Sequence, residues 1–313
     1  MRCVTAVSLD RPAMTRRGDT VFKSLATSAA VLILVALAGV AIFLTLEGMP
    51  ALKAEPDVLG GKGNIILYVW PLVYGTLLAA ALAIIMAAPL SIGLALVISH
   101  YAPRKLAKPI GYLVDLLAAV PSVVYGLWGI EFLGPRLGRA YAWLAENLGF
   151  LPFFEGPASG SGRTILTASI VLAVMALPII TAICREIFSQ TPTLHQEAAL
   201  ALGATRWEMI RLTVFPYSRS GMISAIMLGL GRALGETMAV AMVLSATGVV
   251  TINLISSVNP STIAANIALG FPEASGIKVN VLIFSGLVLF VITFIVNFLG
   301  RLIAARGLVK EGR

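Results

Sequence analysis

Arg232 and Glu236 stand one helical turn apart in GRALGETMAV, Gly231 to Val240, inside an apolar run from about Gly221 to Ser245. A guanidinium there can meet an anion, and a carboxylate beside it lowers the net charge so that the anion is not held too tightly to leave. Placing both in a bilayer is unfavourable. On translocon-type scales the two cost about 5–7 kcal/mol together, whereas each Leu, Ile or Val contributes about 0.3–0.6 kcal/mol toward insertion. The eight such residues between Met222 and Leu244 contribute roughly 2.4–4.8 kcal/mol, so the charges must face protein or water. In a continuous helix, positions 225, 229, 232, 233, 236 and 239 share a face, and they read Ala, Gly, Arg, Ala, Glu, Ala. Small residues of that kind let helices approach closely. Two readings follow: a buried Arg–Glu pair that fixes packing, or a path for an anion.

A second constellation lies in TPTLHQEAALALGATRWEMIRLTVFP, residues 191–216. Thr193 with Gln196, and Thr205 with Glu208, have capping-box spacing, so two short helices are expected. The first stops at Gly203 in a left-handed conformation and the second is ended by Pro216. Such a hairpin either packs beneath a helix bundle or presents a knob to a groove in a partner. Elsewhere the chain offers little chemistry. Its two histidines, His100 and His195, and two cysteines, Cys3 and Cys184, are scattered, so neither a metal site nor a disulfide is expected. No G-x-x-x-x-G-K-[ST] string is present. ATP chemistry would therefore come from another chain, and neither a catalytic residue nor a cofactor is expected.

The elements that must position these residues are membrane helices. Of 313 residues, 58% are hydrophobic and 12% charged, about half the charged share of a soluble domain. Apolar windows of the roughly 20 residues that a bilayer requires fall at about 24–46, 73–99, 110–133, 164–184, 221–246 and 280–303. The first is too long for a signal peptide and lacks a small-residue cleavage site. With the N-terminus inside, sixteen of the 23 lysines and arginines fall in cytoplasmic segments, six outside, and Arg232 within a span. That asymmetry predicts six spans with both ends cytoplasmic. It also leaves no soluble basic face for nucleic acid, despite a net charge of +8. Residues 1–23 and 306–313 read as cytoplasmic tails, with 1–13 an extension ahead of a natural start at Met14. Pro89, Pro121 and Pro178 lie inside spans, which favours a bundle enclosing a pathway over independent anchors. RAYAWLAENL, 139–148, has the pattern of an amphipathic outer helix, and Asp115 and Glu131 are expected as interfacial caps or ion-pair members.

Glu197-Ala198-Ala199, then Gly203, then Pro216 at its spacing resemble the EAA loop of binding-protein-dependent ABC importer permeases. Thr213 and Phe215 stand where that pattern has Ile and Leu. GLGRALGETMAVAMVLS, 229–245, with PYSRSG just before it, resembles the phosphate-specific transport (Pst) family, its PstC type more than its PstA type. The resemblance covers nearly all of the chain from about Met14. It implies an all-α polytopic inner-membrane protein with the type I ABC importer permease fold, six transmembrane helices and a transport domain over 73–305. It further implies that Glu197, Ala198, Ala199, Gly203 and Pro216 belong to a loop that docks a PstB-like ATP-binding subunit. Arg232 and Glu236 would take part in phosphate translocation. A PstA-like sister permease and a PstS-like extracytoplasmic phosphate-binding protein would complete the assembly. One arginine compensates phosphate incompletely, so further cations are expected from the sister subunit. The rival readings are a permease for molybdate, sulfate or a phosphonate, and a proton-coupled secondary anion transporter, against which the docking loop counts.

Overall fold

A computed structural model describes residues 17–311, in helices joined by loops. The segment 1–13 and the start at Met14 lie outside the described residues. The helices are α1 (Arg17–Gly48), α2 (Ile65–Leu96), α3 (Arg104–Ala118), α4 (Ser122–Trp128), α5 (Gly134–Leu148), α6 (Ile165–Ser189), α7 (Thr193–Ala201), α8 (Arg206–Met209), α9 (Phe215–Gly235), α10 (Met238–Val243), α11 (Ile263–Gly270) and α12 (Ile277–Glu311). Several begin where a polar side chain satisfies a free backbone N–H. Asn64 accepts from Leu67 N at 2.9 Å ahead of α2, and Thr164 accepts from Thr167 N at 3.2 Å ahead of α6.

Among the described residues four helices are long and apolar enough to cross a membrane: Gly18–Lys53, Ile65–Tyr101, Ile165–Ser189 and Ile277–Ala304. A bent pair, Lys105–Ala118 with Ser122–Leu148, makes a fifth if it counts as one span. The expected third span, 110–133, is therefore not one helix. Pro121 forces Val120 out of the helical region, and the chain turns by 93° there. The expected fifth span, 221–246, is also broken, after Gly235.

The core is built on α2 and α6. Ala79, Ala80, Ala83 and Ala87 of α2 are all buried, in one cluster with Val171, Leu172, Met175 and Ala176 of α6. The absence of bulk on α2 lets the two backbones come close, as in membrane helix pairs generally. Ser91 Oγ of α2 donates to the Leu177 carbonyl of α6 at 3.1 Å, a polar tie beside Pro178. In contrast, α1 and α12 pack on one another and leave large apolar side chains such as Leu32 and Phe294 bare. An apolar exterior of that extent belongs against lipid or another chain.

Candidate functional site

The charged stretch sits where the fifth helix breaks. Gly231 and Gly235 lower helix propensity on either side of Arg232, and Glu236 takes an extended backbone, φ −69° and ψ 125°, which ends α9. The Glu236 carboxylate then accepts from the backbone N of Ala239 at 3.2 Å, capping the start of α10. Arg232 falls in the last turn of α9, where a cation complements the free carbonyls of a helix C-terminus. Arg232 and Glu236 are thus not an ion pair. Among the described residues the one ion pair within 4 Å is Arg185–Asp115, at 3.2 Å. The extended backbone at Glu236 takes it off the helical face that spacing of four would give it with Arg232.

The expected stripe of small residues is likewise cut short. Ala225, Gly229 and Ala233 are buried, and a Cβ on Gly229 would lie 2.6 Å from Ile180 of α6, so this face is where α9 meets α6. Glu236 and Ala239 do not continue it, because the helix has ended. Arg232 is half-buried, and its Nε is enclosed with no hydrogen-bond partner. A buried donor left without an acceptor costs about 1–3 kcal/mol. Gly126 of α4 is pressed against Ala239 and Met242 of α10.

Arg163 and Asn259 hold the chain where it leaves α10, and neither stands out in the sequence. Arg163 donates through Nη2 to the Met242 carbonyl at 3.1 Å. Asn259 is fully buried. It accepts from Ile165 N at 3.1 Å, and its amide reaches the Ser256 carbonyl at 3.0 Å and the Ser245 carbonyl at 3.3 Å. It staples the loop after α10 to the start of α6. The only sequence signal was an asparagine in a loop, a residue type that satisfies backbone groups.

The 191–216 segment forms a hairpin. Gly203 has φ +87°, the left-handed conformation expected of it, and the Gly203 N–H donates to the Leu200 carbonyl at 3.0 Å. Thr205 and Glu208 form both halves of a capping box. Thr193 and Gln196 do not. Pro192 precedes α7 and the Gln196 amide donates instead to the Thr191 carbonyl at 3.0 Å, because the helix begins one residue earlier than that box requires. Pro216 does not end the second helix either. Helical backbone runs from Arg206 through the wide π-type turn Ile210–Val214 to Gly235, and that turn, directly ahead of Pro216, is where the ladder widens to accommodate a residue without an N–H. Phe215 stacks edge-on between Trp207 and Phe188, at 6.1 and 6.3 Å, anchoring the hairpin to α6.

This hairpin leaves Leu202 91% exposed, with Leu194 and Trp207 also bare. A cavity of about 630 Å³ opens beside it, lined by Ala199, Gly203, Ala204, Glu208, Arg211 and Leu212. Glu197, Ala198 and Ala199 belong to α7 and have no buried residue among them. The structure thus brings Ala199 and Gly203 to one concave surface with Glu208, Arg211 and Leu212, and these last three stand near one end of the continuous helical stretch that carries Arg232 near its other end. Among the described residues no cluster of His, Cys, Asp or Glu could hold a metal ion.

Three comparisons bear on this arrangement. Residues 87–307 match the family model described as the binding-protein-dependent transport system inner membrane component. The chain is 45% identical over 306 residues to the phosphate transport system permease protein PstC 2 of Mycobacterium tuberculosis, covering 94% of this chain and 93% of that one. It is 39% identical over 310 residues to the PstC of Xylella fastidiosa, covering 95% and 93%. Among solved structures it is similar to the bacterial alginate ABC transporter in complex with an alginate pentasaccharide-bound periplasmic protein. That match has a TM-score of 0.60 and 16% identity, covers 93% of this chain and 96% of that one, and carries the fold alone.

Proposed function

We propose, from the premise that this chain belongs to the binding-protein-dependent transport system inner membrane components and within them to the PstC permeases, that it is the non-catalytic permease subunit through which inorganic phosphate crosses the cytoplasmic membrane. The observation that carries the proposal is the near full-length similarity to PstC proteins, at 45% and 39% identity over 94% and 95% of this chain.

The chain crosses the membrane six times with both ends inside: α1, α2, the bent α3–α5 unit, α6, the broken α9–α10 pair and α12. The transport domain runs over 73–305, with 24–46 a span outside it. The α7–α8 hairpin, with Glu197, Ala198, Ala199, Gly203 and Pro216, faces the cytoplasm and docks a PstB-like ATP-binding subunit through Leu202 and its neighbouring cavity. A PstA-like sister permease completes the pathway and supplies further cations, and a PstS-like extracytoplasmic protein delivers phosphate.

The mechanism follows from continuity. From Arg206 to Gly235 the helical backbone is a rod of about 45 Å at 1.5 Å per residue, with the docking surface at one end and Arg232 at the other. ATP-driven closure of the partner moves the hairpin, the rod moves with it, and Arg232 shifts relative to α4 and α10. The unpartnered Arg232 Nε is a donor that phosphate can satisfy in transit. Glu236 caps α10 and offsets the arginine charge so that the anion is released.

The test is labelled phosphate uptake in cells carrying Arg232→Ala, with membrane abundance measured. Uptake should fall to background at normal abundance, and wild-type uptake would refute the pathway. Competition by molybdate, sulfate and a phosphonate separates phosphate from the rival oxyanions.

A further inference from the structure

A second basic site lies away from the Arg232 break. A half-open cavity of about 370 Å³ is bordered by the first turns of α2 and α12, where Lys278 is exposed, by α11, and by the loop that follows α10. Two lysines, Lys62 and Lys278, line it, and none of its lining residues is acidic. Neither lysine has a carboxylate within 4 Å. Lys62 is half-buried. It stands 6.0 Å from the centre of the Tyr68 ring and donates to the Gly248 carbonyl at 3.3 Å, leaving further N–H donors of its ammonium free. Asn266 and Ser261 add neutral polar groups to the wall, while Leu72, Leu269 and Leu282 give it an apolar side.

Two like charges around one concavity raise its potential, and low-dielectric walls focus that field on whatever enters. The group that relieves it must be anionic and must accept several hydrogen bonds. Phosphate meets both needs, and lysine binds it as a point charge without the planar fork a carboxylate favours. At about 30 Å³ per water, the cavity holds the volume of roughly a dozen waters, more than a bare phosphate fills. Its apolar side suits the carbon body of a phosphate ester.

We propose that this cavity is a binding site for a phosphate group, held between Lys62 and Lys278. The group comes either from the headgroup of an anionic phospholipid or from free inorganic phosphate. Placing the cavity on the outer side rests on the proposed topology, but its occupancy does not. The wall includes Ala246 and Gly248, which follow α10 directly. A ligand there therefore bears on the far end of the broken span.

The test uses the full-length chain in nanodiscs, in an Arg232→Gln background so that the site at the break does not contribute. One arm uses phosphatidylcholine discs containing phosphatidylglycerol and reads retained lipid by native mass spectrometry. The other uses phosphatidylcholine alone and measures binding of radiolabelled inorganic phosphate by equilibrium dialysis. The Lys62→Gln/Lys278→Gln double variant removes the charges. Leu269→Trp fills the cavity from a position 59% exposed, where bulk is compatible with folding. Losing hydrogen bonds to two charged donors should weaken binding at least about tenfold. Loss of one retained phosphatidylglycerol in both variants assigns the site to headgroups. Loss of saturable phosphate binding in both assigns it to the free ion. If retention and binding are the same in the wild-type cavity and in both variants, the site does not exist.

Discussion

Glu236 has one job in this arrangement and a second under the proposed function, and the substitutions that separate them are conservative. Its carboxylate oxygen caps α10 by accepting from Ala239 N, and the proposed pathway uses its negative charge against that of Arg232. Glu236→Gln keeps an acceptor at that place, so thermal stability should stay within about 0.5 kcal/mol of wild type while phosphate uptake falls. Glu236→Ala loses the acceptor as well, and should lower stability by about 1 kcal/mol, the usual worth of such a cap. Thermal unfolding in detergent beside uptake in cells reads both. Equal uptake in Gln and wild type would leave Glu236 a cap and nothing more. The residue types at this site were legible in the sequence because two charges in an apolar run cannot face lipid. Their relation was not. Spacing of four implies a pair only on an unbroken helix, and nothing in GRALGETMAV announces the extended backbone at Glu236.

At the scale of elements, the hairpin offers two tests. Leu202 is the most exposed large apolar side chain among the described residues, so Leu202→Asp removes no packing. It should leave membrane abundance unchanged and abolish co-purification of the ATP-binding subunit, and retained co-purification would move the docking surface elsewhere. The second concerns Glu208, whose carboxyl is held below its ordinary range by the Thr205 backbone N–H and then by the Thr205 hydroxyl. A folded value below the unfolded one means that the capping box contributes fully above the ordinary carboxylate pKa of about 4.3. Its contribution is lost as pH falls through the lowered value. The Thr205 amide proton, observed by threonine-selective NMR labelling, should therefore be constant from pH 8 to about 5 and titrate only below about 4.3. Glu208→Gln should remove that titration. This capping box and the left-handed Gly203 were readable because each depends on contacts within a few residues. The Thr193–Gln196 box was misread because Pro192 and the Thr191 carbonyl compete for the same atoms, a choice that spacing alone does not reveal.

Across the whole molecule, the proposed docking surface and the proposed anion site lie along one continuous helical stretch, Arg206 to Gly235. Pro216 suggests a stop in the sequence, since proline in a helix interior breaks it. The wide π-type turn Ile210–Val214 directly ahead of it lets the helix run through the proline instead. The long apolar helices were legible from composition, whereas this continuity depends on Phe215 being fixed between Trp207 and Phe188, a contact with α6 that local patterns do not encode. If the rod transmits motion, softening it between its ends should uncouple the two sites without harming either. Tyr217 and Arg219 are exposed positions on the first turns of α9, and glycine at each costs about 1 kcal/mol of helix stability. The Tyr217→Gly/Arg219→Gly variant should still co-purify with the ATP-binding subunit and still support ATP hydrolysis, while phosphate taken up per ATP hydrolysed drops several-fold in reconstituted vesicles. Parallel loss of hydrolysis and uptake would place the defect in docking, and an unchanged ratio would mean that the motion reaches Arg232 through α6 rather than along α9.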